Sequence, residues 1–215
     1  MSHEILVSVT DKERTRLMAI AAPDIGLWES GAVLAGMDEV GRGPIAGPVV
    51  EACVVMPPSP LIPYVNDSKK LSERRRIALD RQIREIAAGI SLAWVWQDDI
   101  DRLNILNATR RAFEEAFSKI SLPVSDVMID ALSGLKLSAR QHILIHGDAL
   151  SYSIAAASIV AKVARDAYMT EQDALYPQYG FARNKGYGTA EHIAALRKNG
   201  PCPLHRKSFI KNFVD

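Results

Sequence analysis

The sequence predicts an α/β fold, a mixed sheet with helices on both faces. Three observations carry that expectation. Two apolar strand-like runs come early, strand and helix patterns alternate after them, and the helical stretches carry their own start and stop residues.

Residues 1–30 read as an N-terminal extension, with a short helix over 11–22 that Pro23 should end. Residues 33–40 and 48–56 are apolar strands joined by a glycine-rich turn. Pro57, Pro58, Pro60 and Pro63 then mark a loop leading to Asn66-Asp67-Ser68-Lys69-Lys70. Ser72 suits a helix N-cap and Gly89 a C-cap, and Leu79, Ile83 and Ile86 fall on one face between them. Ile90, Leu92, Trp94 and Trp96 alternate as in a half-buried strand, and a helix over 99–119 should bury Leu103, Phe113 and Phe117. Residues 127–130 and 142–145 are short strands. An alanine-rich helix over 151–175 follows, and a last helix over 190–198 closes at Gly200 and Pro201.

The bulk properties narrow the class. At 215 residues, 48% hydrophobic and 24% charged, the chain can bury a substantial core. No apolar run reaches the ~18 residues of a membrane span, and Glu4, Asp11 and Glu13 argue against a signal peptide. Cys53 and Cys202 show neither metal-ligand spacing nor a disulfide framework, which fits a reducing compartment. A cytoplasmic monomer is expected. The net charge of +1 neither supports nor excludes a polyanionic partner.

The chemistry concentrates in residues 36–48, where Asp38-Glu39 ends an apolar run and Gly41-Arg42-Gly43 follows. Adjacent carboxylates resist each other's ionisation unless a cation or proton relieves them. An arginine between glycines can come close to a nucleic-acid backbone. Solvated surfaces also carry Asp-Glu pairs, and the glycines invite a dinucleotide-loop reading. Their spacing, G-x-G-x-x-x-G, is one residue too long for that loop. Asp130 ends a strand and Asp148 follows the next one, so all four acids can meet at strand ends, although each could also cap a turn. Such a set suits Mg²⁺ or Mn²⁺, hard ions that take oxygen ligands. Neighbouring strand residues point to opposite faces, so Asp38 and Glu39 can share a site only if the strand ends or bulges there.

On residues 36–48, 66–72, 128–130, 154–166, 176–181, 184–189 and 205–209, taken in order, the chain resembles bacterial ribonuclease HII. The resemblance implies an RNase H-like fold: a mixed five-stranded sheet flanked by helices, with a catalytic domain over 31–215 and a helical, substrate-binding C-terminal region. It implies cleavage of RNA in RNA–DNA hybrids and incision 5′ to a single ribonucleotide in duplex DNA, leaving a 3′-hydroxyl and a 5′-phosphate. It makes Asp38, Glu39, Asp130 and Asp148 the catalytic, metal-binding carboxylates. Gly41, Arg42 and Gly43 become the sensor of the 2′-hydroxyl, Tyr187 the residue stacking on the next deoxyribose, and Ser68 and Lys69 phosphate contacts. Lys69, Lys70, Arg74, Arg75 and Arg76 form one basic cluster for the duplex; Lys185, His205, Arg206 and Lys207 form a second. Asp166 is expected to pair with Lys162 instead. Ala131 and His146 stand where the family usually has glycine and lysine. A non-catalytic duplex-binding protein on the same fold is the alternative reading.

Overall fold

The computed structural model describes residues 3–214. Its strands are β1 (Leu34–Val40), β2 (Val49–Val55), β3 (Gly89–Val95), β4 (Asp126–Asp130) and β5 (Arg140–Leu144). Its helices are α1 (Asp11–Glu29), α2 (Glu73–Ile86), α3 (Gln97–Leu103), α4 (Ile105–Ser118), α5 (Gly147–Leu150), α6 (Tyr152–Leu175), α7 (Phe181–Asn184), α8 (Ala190–Asn199) and α9 (Lys207–Ile210). The sheet order is β3-β2-β1-β4-β5, antiparallel from β3 to β1 and parallel from β1 to β5. This is the expected mixed five-stranded sheet, and the turn between β1 and β2 closes its antiparallel half.

Each face of the sheet buries its own core. On one side Leu34, Ala52 and Val54 pack with Ile154, Ala155 and Ile159 of α6. On the other Ala35, Met37 and Cys53 pack with Ala108, Ala112 and Phe113 of α4. The alanines of α6 let it lie almost on the sheet. A Cβ on Gly36 would sit 2.1 Å from the Ser153 carbonyl carbon, so only glycine fits at that crossing.

Local signals fail at three places. The first helix runs through Pro23 to Glu29, because Leu17, Ile20, Ala21 and Trp28 bury against the α6 core. Asp24, fully buried, accepts hydrogen bonds from Ser151 Oγ and from the amides of Tyr152 and Ser153, capping α6 from outside. Docking thus outweighs the amide that proline removes. The helix expected over 99–119 is two helices, split where Asn104 takes φ +66° and caps α4 by accepting from the Asn107 amide. Gly89 opens β3 instead of closing α2, whose C-cap is Ala87.

Candidate metal centre

Asp38 lies on β1, the middle strand, facing α6. Asp130 ends the parallel neighbour β4, and Asp148 stands in the first turn of α5. One carboxylate oxygen from each lies within 4.8 Å of the others. The approach depends on Gly147, whose amide donates to Asp130 Oδ1 at 2.7 Å; a Cβ there would meet Ile154 Cδ1 at 2.5 Å. Both residues that depart from the family pattern stand in the left-handed region here, Ala131 at φ +46° and His146 at φ +60°.

Burial first, then the charge of Glu39, pushes the Asp38 carboxyl well above the usual carboxylate range. Burial also raises Asp148, opposed by Lys69, whose ammonium lies 3.2 Å from Asp148 Oδ2. Three crowded, oxygen-only donors, two of them buried, with one exposed lysine for relief fit a hard divalent cation. Asp38, Asp130 and Asp148 would hold it.

Glu39 is not in this group of three. The strand runs regularly to Val40 without a bulge, so Glu39 turns to the opposite face and its Oε1 lies 3.4 Å from Arg42 Nη1. Burial raises it to about 7, with Arg42 pulling the other way. Across the antiparallel ladder it faces Glu51, which is fully buried with neither carboxylate oxygen hydrogen-bonded among the described residues. Burial and the charges of Glu39 and Asp38 push Glu51 well up. Nothing in the motif pattern points to Glu51; a lone acid inside the apolar run 49–55 is the signal that could have.

The glycine–arginine loop is held from below by two buried arginines. Arg206 donates from Nη2 to the Gly41 carbonyl (2.6 Å), from Nη1 to Arg42 (3.1 Å) and from Nε to Gly47 (2.9 Å). Arg165 of α6 donates to the carbonyls of Pro48, Ala46 and Lys185 at 2.8–3.1 Å. Gly41, at φ +98°, lies where a Cβ would be 2.4 Å from Arg165 Nε. This corrects the second basic cluster: His205 and Arg206 are buried, and only Lys185 and Lys207 remain outward. Arg165 escaped sequence reasoning altogether, although an arginine on the apolar side of an alanine-rich helix is itself a signal.

Tyr187 is 42% exposed, and a Cβ on Gly43 would lie 3.8 Å from its Cε1. Lys185, at the end of α7, donates from Nζ to Thr170 Oγ1. Ser68 is buried with its hydroxyl on Ser158, so Lys69 carries the outward charge of that segment. In the first basic cluster Arg76 turns inward, donating to the Ser68 and Leu71 carbonyls, while Arg75 lies over the Tyr64 ring. Asp166 pairs with Lys162 at 2.8 Å, as expected.

No helix among the described residues is long and apolar enough to cross a membrane. The family model for ribonuclease HII matches residues 35–212. The chain is 49% identical over 206 residues to a ribonuclease HII of Ruminiclostridium cellulolyticum, covering 95% of this chain and 81% of that protein. It is 47% identical over 206 residues to one of Acetivibrio thermocellus, covering 95% and 80%. Among solved structures, the ribonuclease H2 of Pyrococcus horikoshii superposes with a TM-score of 0.69 at 23% identity, over 81% of this chain and 92% of that one. The sheet order, the carboxylates at its centre and this similarity along nearly the whole chain agree: the protein belongs to the ribonuclease HII family.

Proposed function

We propose that this type 2 ribonuclease H cleaves the RNA strand of RNA–DNA hybrids and nicks duplex DNA 5′ to a single embedded ribonucleotide. The observation that carries the reading is the meeting of Asp38, Asp130 and Asp148 within 4.8 Å, an all-oxygen donor set at the end of the sheet. Asp38, Asp130 and Asp148 hold Mg²⁺ or Mn²⁺, and Glu39, one residue from the end of β1 and close enough for its charge to act on Asp38, completes the set of four carboxylates around them. Such an ion, when bound, supplies Lewis acidity and a water acidified enough to act as nucleophile. The products are a 3′-hydroxyl and a 5′-phosphate.

Recognition falls to the neighbouring loops. Arg206 draws the carbonyls of Gly41 and Arg42 inward, which leaves the backbone of Gly41, Arg42 and Gly43 to read the 2′-hydroxyl that separates RNA from DNA. Tyr187, beside Gly43, stacks on the deoxyribose that follows. Lys185 and the segment Ser68-Lys69 take phosphates, with Ser68 fixing the turn that projects Lys69. Residues 31–215 form the catalytic domain and its helical substrate-binding segment, and residues 1–30 form an N-terminal extension whose helix α1 docks against it. The protein acts as a cytoplasmic monomer.

The deciding experiment incubates a DNA duplex carrying one ribonucleotide with Mg²⁺, Mn²⁺ or EDTA and maps any cut. A metal-dependent nick 5′ to the ribonucleotide, abolished in Asp38→Asn while folding and duplex binding persist, is the expected result. Undiminished cleavage by that variant would remove Asp38 from the centre. Salt-sensitive binding without any product would instead favour the non-catalytic duplex binder.

A further inference from the structure

Behind the loop that carries Tyr187 lies a buried pair of histidines for which the metal centre has no use. His192 of α8 is fully buried and His205 is 3% exposed; their Nε2 atoms are 3.0 Å apart. Three groups of Cys202 surround His205 Nδ1, the amide nearest at 3.0 Å, then Sγ at 3.2 Å and the carbonyl at 3.3 Å, and the nearest contact sets the bond directions. The Cys202 amide donates to His205 Nδ1 at 3.0 Å, so that nitrogen bears the lone pair and the His205 proton sits on Nε2. His192 Nε2 must then accept, which leaves its own proton on Nδ1, 2.8 Å from the Tyr187 carbonyl. The result is a one-way chain, from Cys202 N–H through His205 and His192 to Tyr187. The rings of Tyr179 and Phe181 stand edge-on to the imidazoles, with centroids at 4.8 Å from His205 and 5.4 Å from His192, and hold their planes.

The backbone of His205 also touches the other half of the recognition surface. It pairs with Ala46, and the next residue, Arg206, donates its amide to the Ile45 carbonyl and its guanidinium to Gly41 and Arg42. Two consecutive side chains therefore diverge, one toward Tyr187 and the other toward the glycine–arginine loop. We propose that His192 and His205 are positioning residues that set the Tyr187 ring against Gly43, and thereby set the preference for a ribonucleotide–deoxyribonucleotide junction over a uniform hybrid. This rests on the junction-reading role of Tyr187 given above.

The test compares kcat/KM on a duplex with one ribonucleotide against kcat/KM on a uniform RNA–DNA hybrid. His192→Phe and His205→Phe keep the ring volume and lose the chain, and should lower the junction-to-hybrid ratio by about tenfold. His205→Gln keeps a donor nitrogen near the Nε2 position and should recover most of the ratio. Tyr187→Ala is the reference and should lower the ratio at least as far. If Tyr187→Ala lowers it while both folded phenylalanine variants stay within twofold of the parent, the positioning role is overturned. If Tyr187→Ala itself leaves the ratio unchanged, the reading of Tyr187 falls and takes this inference with it. Should the phenylalanine variants not fold, His192→Asn carries the same comparison: it keeps the donor toward Tyr187 but breaks the link to His205, so an unchanged ratio again overturns the role. Imidazole nitrogen resonances of the parent protein provide a readout independent of folding mutants, and a proton on His205 Nδ1 would contradict the chain.

Discussion

Lys69 holds its ammonium 3.2 Å from the Asp148 carboxylate, the one cation paired directly with the acid triad among the described residues. Its side chain is 77% exposed, so the pair adds little to stability. Its effect is on what else can approach. Lys69→Met should tighten Mn²⁺ binding several-fold, because a competing charge is gone. It should also weaken duplex binding and reduce the slope of log K against log salt by about one contact. Calorimetric Mn²⁺ titration and hybrid binding at several salt concentrations check both signs; weaker Mn²⁺ binding would contradict the competition.

Ala131, directly after Asp130, is held at φ +46° with its amide on the Leu144 carbonyl. A left-handed alanine costs about 1–2 kcal/mol, and the extra freedom of glycine in the unfolded chain returns roughly 0.4–1 of that. Ala131→Gly should therefore stabilise by about 0.5–1 kcal/mol without loss of cleavage. A lower denaturation midpoint at unchanged m would refute the strain.

Glu51 faces Glu39 across the ladder with neither oxygen hydrogen-bonded among the described residues and no exposure. Replacing such a group by an apolar one of similar volume removes a desolvation penalty of roughly 1–3 kcal/mol. Glu51→Met should raise the melting temperature. A fall would show that the carboxylate serves a partner in solution.

Burial, then the neighbouring His192, holds His205 down to about 4, against an ordinary value of 6.5. Facing it are His192, Cys202 and Tyr179, with Arg206 next in the chain; burial lowers His192 and raises Cys202 and Tyr179. As pH falls below 6.5 the unfolded chain takes up the proton first, so stability is full above that value and drains as pH falls through about 4. Melting temperatures from pH 7.5 to about 4.5 should fall more steeply for the parent than for His205→Gln. Parallel curves would sink the assignment.

The sheet and its acids were legible because apolar runs and their terminal carboxylates are local signals. Asp38 to Asp148 could be placed at strand ends from pattern alone. What escaped was set by contacts distant in sequence. Pro23 sits inside a helix because Asp24 is anchored 127–129 residues away, and Arg206 is an interior clamp because carbonyls at 41, 42 and 47 surround it. A basic side chain in a motif looks the same whether it meets a phosphate or a carbonyl. The tension between Asp38 and Glu39 could be read from strand period: Asp38 meets Asp130 and Asp148, while Glu39 lies against Arg42 and still acts on Asp38 through its charge.

The docking of α1 also sets a timetable. Its anchor, Asp24, leaves the ribosome well before its partners, because the hydroxyl and amides it accepts from belong to Ser151, Tyr152 and Ser153, 127–129 residues later. At about 5–20 residues per second the nascent chain grows for on the order of ten seconds before those partners exist. During that interval Leu17, Ile20 and Trp28 have no α6 to cover them. Helix α1 is thus obliged to wait for α6, and until then its apolar face is open to aggregation and to chaperone capture.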